Sequence, residues 1–463
     1  MTLQALHAKP PSTPPTRPVE ALATRTDAFS ARNGVAYGLL GLPLAFVALP
    51  LYVILPNHYA RAFGVPLATL GAILLGTRLF DALIDPLLGR LIDRMFARSA
   101  AAVLTLGAAA ALLLALGFTL LFFPPLLLQT APTALVAWAS AMLVLTYAAY
   151  STLSVSHQSW GAMLGGNEAQ RSRIVAWREG LGLFGVVLAS ITPVVLGLPA
   201  TTAIFFIALT LGWLAWRRAP RPSHQTANQT GHASQPCGSA ADKGAQKSPI
   251  WRPFSISAFR RLLAVFLLNG IASAVPATLV LFFIQDRLQA PSALEPLFLG
   301  SYFLCAALSI PLWLAVVRRI GLARAWLTGM VLAIAVFGWA AQLQAGQTLA
   351  FAVVCALSGV ALGADLALPG ALLAGVIQAS GQSGRAEGAF FGWWNFATKL
   401  NLALAAGLAL PLLGLFGYAP GVRDAAALSA LVVAYCVLPC LLKLAAAAAA
   451  YFFIIKQPEG FSP

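Results

Sequence analysis

Long apolar runs separated by short polar turns repeat along most of this chain. A helix needs about 20 apolar residues to cross the hydrocarbon of a bilayer. Runs of about that length fall near 34–56, 66–89, 99–122, 132–157, 174–197 and 199–215. A second set falls near 259–284, 294–316, 325–343, 348–378, 389–414 and 425–452. Only a Gly197-Leu198-Pro199 turn parts the fifth from the sixth. Composition closes the soluble alternatives. Charged residues make up 9% of the chain and hydrophobic ones 59%, with a mean hydropathy of +0.82. An average soluble domain is roughly 25% charged, so this chain cannot cover its apolar mass with a charged surface. A cytosolic enzyme, a secreted disulfide scaffold and a disordered chain are excluded. The expectation is an all-α membrane protein with twelve transmembrane helices.

Between the two sets lies 216–258, rich in Pro, Ser, Gln, Gly and basic residues, which reads as a linker. The organisation is therefore a tail 1–33, a six-helix half 34–215, the linker 216–258, a second six-helix half 259–452 and a tail 453–463. Six spans, linker and six spans is the layout of two pseudo-symmetric halves. The net charge of +15 would suggest nucleic acid in a soluble protein, but basic residues of membrane proteins collect in cytoplasmic loops. Of the 29 Lys and Arg, four fall within spans (Arg78, Arg178, Lys399, Lys443). Only Arg61, Arg287 and Arg423 fall on the side opposite the termini and linker. Both termini and the linker are thus expected in the cytoplasm, with the protein multi-pass in the cell (inner) membrane. Residues 1–33 lack the apolar core of a cleavable signal. The five cysteines form no framework, and Cys436 and Cys440 read as inert apolar thiols.

A charge inside a span costs at least ~2.5–3.5 kcal/mol on insertion scales, which makes each one a functional candidate. The second span carries Arg78, Asp81 and Asp85, spaced by three and four and therefore on one helical face. Asp81 can pair with Arg78, leaving net negative charge for a cation or proton; the bland alternative is a buried network locking helices together. Pro86 follows directly and frees a backbone carbonyl. Arg178 either grips a solute with its planar fork or pairs with Glu179. Asp365 is expected as a proton site or a partner of Lys399, against a neutral structural acid. Trp393, Trp394 and Asn395 could wall a solute site or simply pack. His157 reads as structural and Lys443 as snorkelling to the interface.

The string Gly89-Arg90-Leu91-Ile92-Asp93-Arg94, with Arg98 beyond, resembles the loop between second and third helices of the major facilitator superfamily, where it latches helix ends. The longer string Arg78-Leu-Phe-Asp81-Ala-Leu-Ile-Asp85-Pro86-Leu-Leu-Gly89 resembles the signature of the glycoside-pentoside-hexuronide:cation symporters. Ser156-His157-Gln158-Ser159-Trp160-Gly161, continuing to Arg171 and Arg178, is similar to that family's fourth-to-fifth helix region. Gly384-Arg385-Ala386-Glu387-Gly388-Ala389-Phe390-Phe391-Gly392, continuing to Lys399 and Gly417-Tyr418, is similar to its tenth-to-eleventh region. The resemblance implies the major facilitator fold. It implies cation-site roles for Asp81, Asp85 and Lys399, with Ser154 where a third acid is usual, and solute contacts for Tyr150 and Arg178. The chain departs from the family also at Ala45 and Gly375, where acids are usual.

The function expected is secondary active symport of a small polar solute, such as a sugar or sugar acid, by alternating access. The coupling ion is H+ in preference to Na+, because two acids one turn apart can share a proton. Cation coupling is assigned to Asp81, Asp85, Ser154, Lys399 and Asp365, and solute binding to Tyr150, Arg178, Trp394 and Asn395. Gating is assigned to Arg78, Gly89, Asp93, Arg94, Arg98, Arg171, Arg385 and Glu387. The alternative is a carrier of lysophospholipid or another amphiphile; a non-transporting receptor ranks lower. An enzyme is not expected, nor a cofactor, a metal or a nucleic-acid partner, and a monomer is expected in the lipid bilayer. Cysteines introduced in 220–250 should react with impermeant thiol reagents only from the cytoplasmic side. Labelling of intact cells there would reverse the orientation.

Overall fold

The computed structural model describes residues 29–222, 250–415, 417–418, 421 and 424–457. Most of both expected tails and of the linker, including Cys237, Lys243 and Lys247, lies outside the described residues, as does Arg423. The first span, α1, is built from Ala31–Gly38, Gly41–Leu49, a wide turn Pro50–Ile54 and Leu55–Phe63. It is followed by α2 (Leu67–Arg98), α3 (Ala100–Phe122), α4 (Pro132–Met163), α5 (Glu168–Val195) and α6 (Gly197–Arg217). The second half holds α7 (Ser257–Phe282, extended by Phe283–Arg287), α8 (Glu295–Ile320) and α9 (Leu322–Ala340). Then come α10 (Thr348–Ala379), α11 (Glu387–Leu415) and α12, the last built from Ala425–Val432, Val433–Val437, Leu438–Ala450 and Tyr451–Ile455.

Among the described residues, ten spans are long and apolar enough to cross a membrane by length and composition alone. The two long helices that complete the twelve are α2 and α11, which carry Arg78, Asp81, Asp85 and Lys399. Several helices outrun their apolar stretches: α4 continues through Trp160 to Met163, and α5 starts at Glu168 behind an Asn167 cap. Such polar-ended extensions are helical by capping and packing, not by hydropathy. Twelve crossings place both ends of the described chain and the linker on one face, called here the linker face.

The halves meet along two seams, α2 against α11 and α5 against α8 and α10. Glycine sets the first. A Cβ on Gly89 would run into the carbonyl oxygen of Gly388, and one on Gly392 would meet the Asp85 carbonyl. Gly388 and Gly392 lie one turn apart on α11, a small-xxx-small spacing that lets helix backbones approach closely. On the second seam, Ala176 and Leu183 of α5 pack with Ala306 and Ile310 of α8. One apolar cluster joins the halves near the linker face, from Phe96 and Trp160 to Ile377 and Phe390.

Polar bonds seal that face. The Asp93 carboxylate accepts from the backbone N–H of Gly388 (2.6 Å) and Ala389 (2.9 Å), at the start of α11. Glu168 accepts from the N–H of Leu322 (2.9 Å), at the start of α9. Arg171 donates to Gln378 Oε1 (2.8 Å) and to the Gly166 carbonyl (3.1 Å). Gly375 stands beside its guanidinium, and a longer side chain there would meet it. At the other end, α2 from Gly71 to Phe80 is exposed round most of its circumference, with Leu75 69% accessible. The structure is closed on the linker face. Gly89→Val should therefore loosen the seal. A cysteine replacing Ala374, buried in the same gap between the halves as Arg171, in a background without native cysteines, should become reactive to water-soluble thiol reagents from the linker face. Unchanged labelling would show that the seal does not depend on the glycine contact.

Candidate functional site

Charge in the membrane-embedded core is concentrated where α2, α4 and α11 cross. Asp81 and Asp85 sit one turn apart on α2, 2% and 0% accessible. Lys399 reaches them from α11, seven residues after Gly392 and so on the same helical face as the close contact. Its Nζ lies 2.7 Å from Asp81 Oδ2 and 2.7 Å from Asp85 Oδ2. It also donates to Ser151 Oγ (2.8 Å), whose hydroxyl donates to Asp81 Oδ1 (2.7 Å). The carbonyl that Lys399 approaches is that of Asp81, at 3.4 Å. The carbonyl that Pro86 deprives of a donor is the next one, Ala82. Asp85 Oδ1 has no hydrogen-bond partner among the described residues, and the Asp85–Lys399 contact is an ion pair without hydrogen-bond alignment. The cluster holds two carboxylates against one ammonium.

Sequence reasoning found the three charged members but not their partners. Asp81 is ion-paired with Lys399 from the opposite half, and the expected partner Arg78, one turn earlier, also acts on it by its charge. Ser151, not Ser154, supplies the hydroxyl. Ser154 Oγ instead accepts from Gln158 one turn on (2.9 Å), because α4 turns its Ser151 face to α2 and α11. Asp365 does not partner Lys399. Its Oδ2 is ion-paired with Lys443 at 2.9 Å, since α10 turns this face to α7, α9 and α12 of its own half. Lys443 does not snorkel; it is 4% accessible and is held by that acid.

The remaining expected site residues scatter. Arg178 pairs with Glu179 (2.5 Å) beside the Tyr37 phenol. It lines a narrow gap between the halves together with Arg171, Gly370 and Phe391. Trp394 stacks on Phe266 with ring centroids 3.8 Å apart, and Trp393 donates to the Ile250 carbonyl. Both aromatics pack within their own half or against the end of the linker. Asn395 and Tyr150 are partly buried, Tyr150 one residue before Ser151. His157 is fully buried, its Nε2 2.7 Å from the Tyr37 carbonyl. Of the gating residues, Gly89, Asp93 and Arg171 lie in the seal, and Glu387 accepts from the Gly384 N–H (2.5 Å) in the turn before α11. Arg94, Arg98 and Arg385 are exposed on the linker face. Glu168 was not foreseen; an acid at a helix start reads as a cap of its own helix, and only tertiary placement aims it at α9.

A cavity of about 170 Å³ lies in the second half between α7, α8, α9, α10 and α12, with Asp365 and Lys443 in its lining. Among the described residues, no group of three or more His, Cys, Asp or Glu is placed to hold a metal ion. Removing Lys399 would leave two buried acids without their cation, which costs on the order of 3–5 kcal/mol for a buried pair. Lys399→Ala should lower unfolding stability by about that amount, and adding Asp81→Asn and Asp85→Asn should recover most of it. Equal stability of all three proteins would mean that the cluster is solvated.

The chain is similar to known transporters over nearly its whole length. The family described as MFS/sugar transport protein matches residues 34–457. No curated protein matches the sequence. Among solved structures, a bacterial homologue of iron transporter ferroportin in outward-facing state aligns with a TM-score of 0.66 at 16% identity. That alignment covers 92% of this chain and 99% of the other. A variant of the E. coli fucose:proton symporter aligns with a TM-score of 0.65 at 14% identity, again covering 92% and 99%. At these identities the likeness establishes the shared fold. With the family match across both halves, this chain belongs to the MFS/sugar transport protein family and is a multi-pass secondary transporter of small molecules.

Proposed function

We propose that the protein is a proton-coupled symporter of a small polar solute, such as a sugar or sugar acid, working by alternating access in the cell (inner) membrane. The proton reading is carried by Lys399. Its ammonium already fills the position between Asp81 and Asp85 where a metal cation would find its oxygen ligands. Sodium would have to displace a covalently tethered cation and replace the same three contacts. A proton needs only one acceptor, and the partnerless Oδ1 of the fully buried Asp85 offers one. One proton also removes one of the two negative charges that face Lys399. The ion pair across α2 and α11 then weakens, and the seam it holds can open.

The solute class rests on the family, and one solved neighbour is itself described as a fucose:proton symporter. A second reading, an amphiphile carrier, draws on the apolar lining of the second-half cavity. The basic linker supports a cytoplasmic linker face, so the closed face described above corresponds to an outward-facing state. Arg178, paired with Glu179 in the gap between the halves, is available to a solute carboxylate or hydroxyl once that pair parts.

The test uses protein reconstituted in liposomes, with solutes chosen by a thermal-stabilisation screen of sugars, sugar acids and lysolipids. Uptake should follow an imposed pH gradient in sodium-free buffer, and Asp85→Asn should abolish its response to that gradient. Uptake that requires sodium and ignores pH would overturn the proton reading.

A further inference from the structure

The second half carries a charged group that the coupling cluster does not use. Asp365 on α10 is saturated: Oδ1 accepts from Asn269 Nδ2 (2.9 Å) and Trp326 Nε1 (3.0 Å). Its Oδ2 accepts from Lys443 Nζ (2.9 Å) and Ser273 Oγ (3.2 Å). Four donors fill a carboxylate's acceptor sites, so Asp365 has none left for a ligand cation. Lys443 is different. An ammonium has three N–H groups, and Lys443 gives one to Asp365 and one to Asn269 Oδ1 (2.7 Å). Among the described residues nothing takes the third, although the side chain is almost wholly buried and lines the cavity. The walls are apolar and aromatic: Phe298, Phe303, Phe337 and Leu362, with Tyr302 and Tyr435. At about 170 Å³ the space compares with the ~150 Å³ apolar cavity that takes up benzene.

We propose that this cavity binds an organic carboxylate, its oxygen accepting the third N–H of Lys443 and its ring-sized apolar body filling the aromatic-lined space. The inference goes beyond the transport reading: the second half has a site of its own for an apolar carboxylate, separate from the sugar or sugar acid proposed as solute. A cationic ligand is disfavoured by the saturation of Asp365. A neutral sugar is disfavoured by walls that offer few hydroxyl partners.

The probe is phenylacetate, added to the purified full chain and followed by thermal stabilisation and by tryptophan fluorescence, since Trp326 is bonded to the acid. Phenylacetate should bind, while phenylacetamide and glucuronate should bind much more weakly. Lys443→Met should weaken it roughly 10- to 100-fold, as expected for one charge-assisted hydrogen bond. Because that variant leaves Asp365 without its cation, the neutral pair Lys443→Met/Asp365→Asn is measured as well. It should fold and fail to bind. Asp365→Asn alone, which keeps the Lys443 ammonium, should still bind phenylacetate. Equal binding of the amide, preference for glucuronate, or undiminished binding by the neutral pair would overturn the carboxylate site. Loss of phenylacetate binding alongside intact pH-driven transport would sink this inference alone. Binding without pH-driven transport would sink only the coupling reading.

Discussion

A charged group inside a bilayer protein must find its counter-charge there, and in this chain that requirement joins the two halves. Asp81 and Asp85 belong to one half and Lys399 to the other, with all three carried on the long helices α2 and α11. Neither helix can be buried at this depth alone without several kcal/mol of uncompensated charge. The glycines follow from that. Lys399 meets both acids because Gly388 and Gly392 let α11 lie against the backbone of α2. The cluster's protonation and the contact between halves are therefore one equilibrium. Coupling requires such a link, because an ion can shift a conformational balance only by its differential affinity for the two states.

The seal on the linker face is built from weaker parts. Asp93 and Glu168 each place a carboxylate at the start of a helix in the opposite half, α11 and α9 respectively. Such contacts are worth about 0.3–1 kcal/mol when exposed and up to ~2 kcal/mol when partly buried. Arg171 adds a bond to the side-chain amide of Gln378. Together these hold the face shut, yet each can be exchanged for water as it breaks, since all lie at helix ends. In the central ion pair the two acids are buried, with only Lys399 partly accessible. The order of magnitudes thus separates the two: the peripheral caps close one face, and the central cluster is the costlier contact between the halves to break.

Much of this was legible in the sequence, and the reason is physical. The spans are readable because bilayer thickness imposes a length on each apolar run, and Asp81, Asp85 and Lys399 stand out because charge inside such a run is expensive. Helical periodicity also places Asp81 and Asp85 on one face. It does not say which neighbouring helix that face meets. Ser151 and Ser154 are equally plausible from spacing, and only the rotation of α4 against α2 selects Ser151. Lys443 illustrates the same limit. Near the end of a long apolar helix it reads as a snorkelling lysine, and its partner is an acid 78 residues earlier in the chain. Glu168 is a third case, since its bond to α9 spans 154 residues.

The two buried ion pairs differ in what they connect, and that difference constrains the motion. Asp81, Asp85 and Lys399 bridge the halves, so rocking one half against the other must stretch or break their contacts. Asp365 and Lys443 lie within the second half, and with Asn269, Ser273 and Trp326 they tie α7, α9, α10 and α12 together. A movement that breaks only contacts between halves leaves this second network untouched. The second half then moves as one piece with its cavity, whose walls Phe303 and Leu362 pack toward Ala176 and Leu183 of α5.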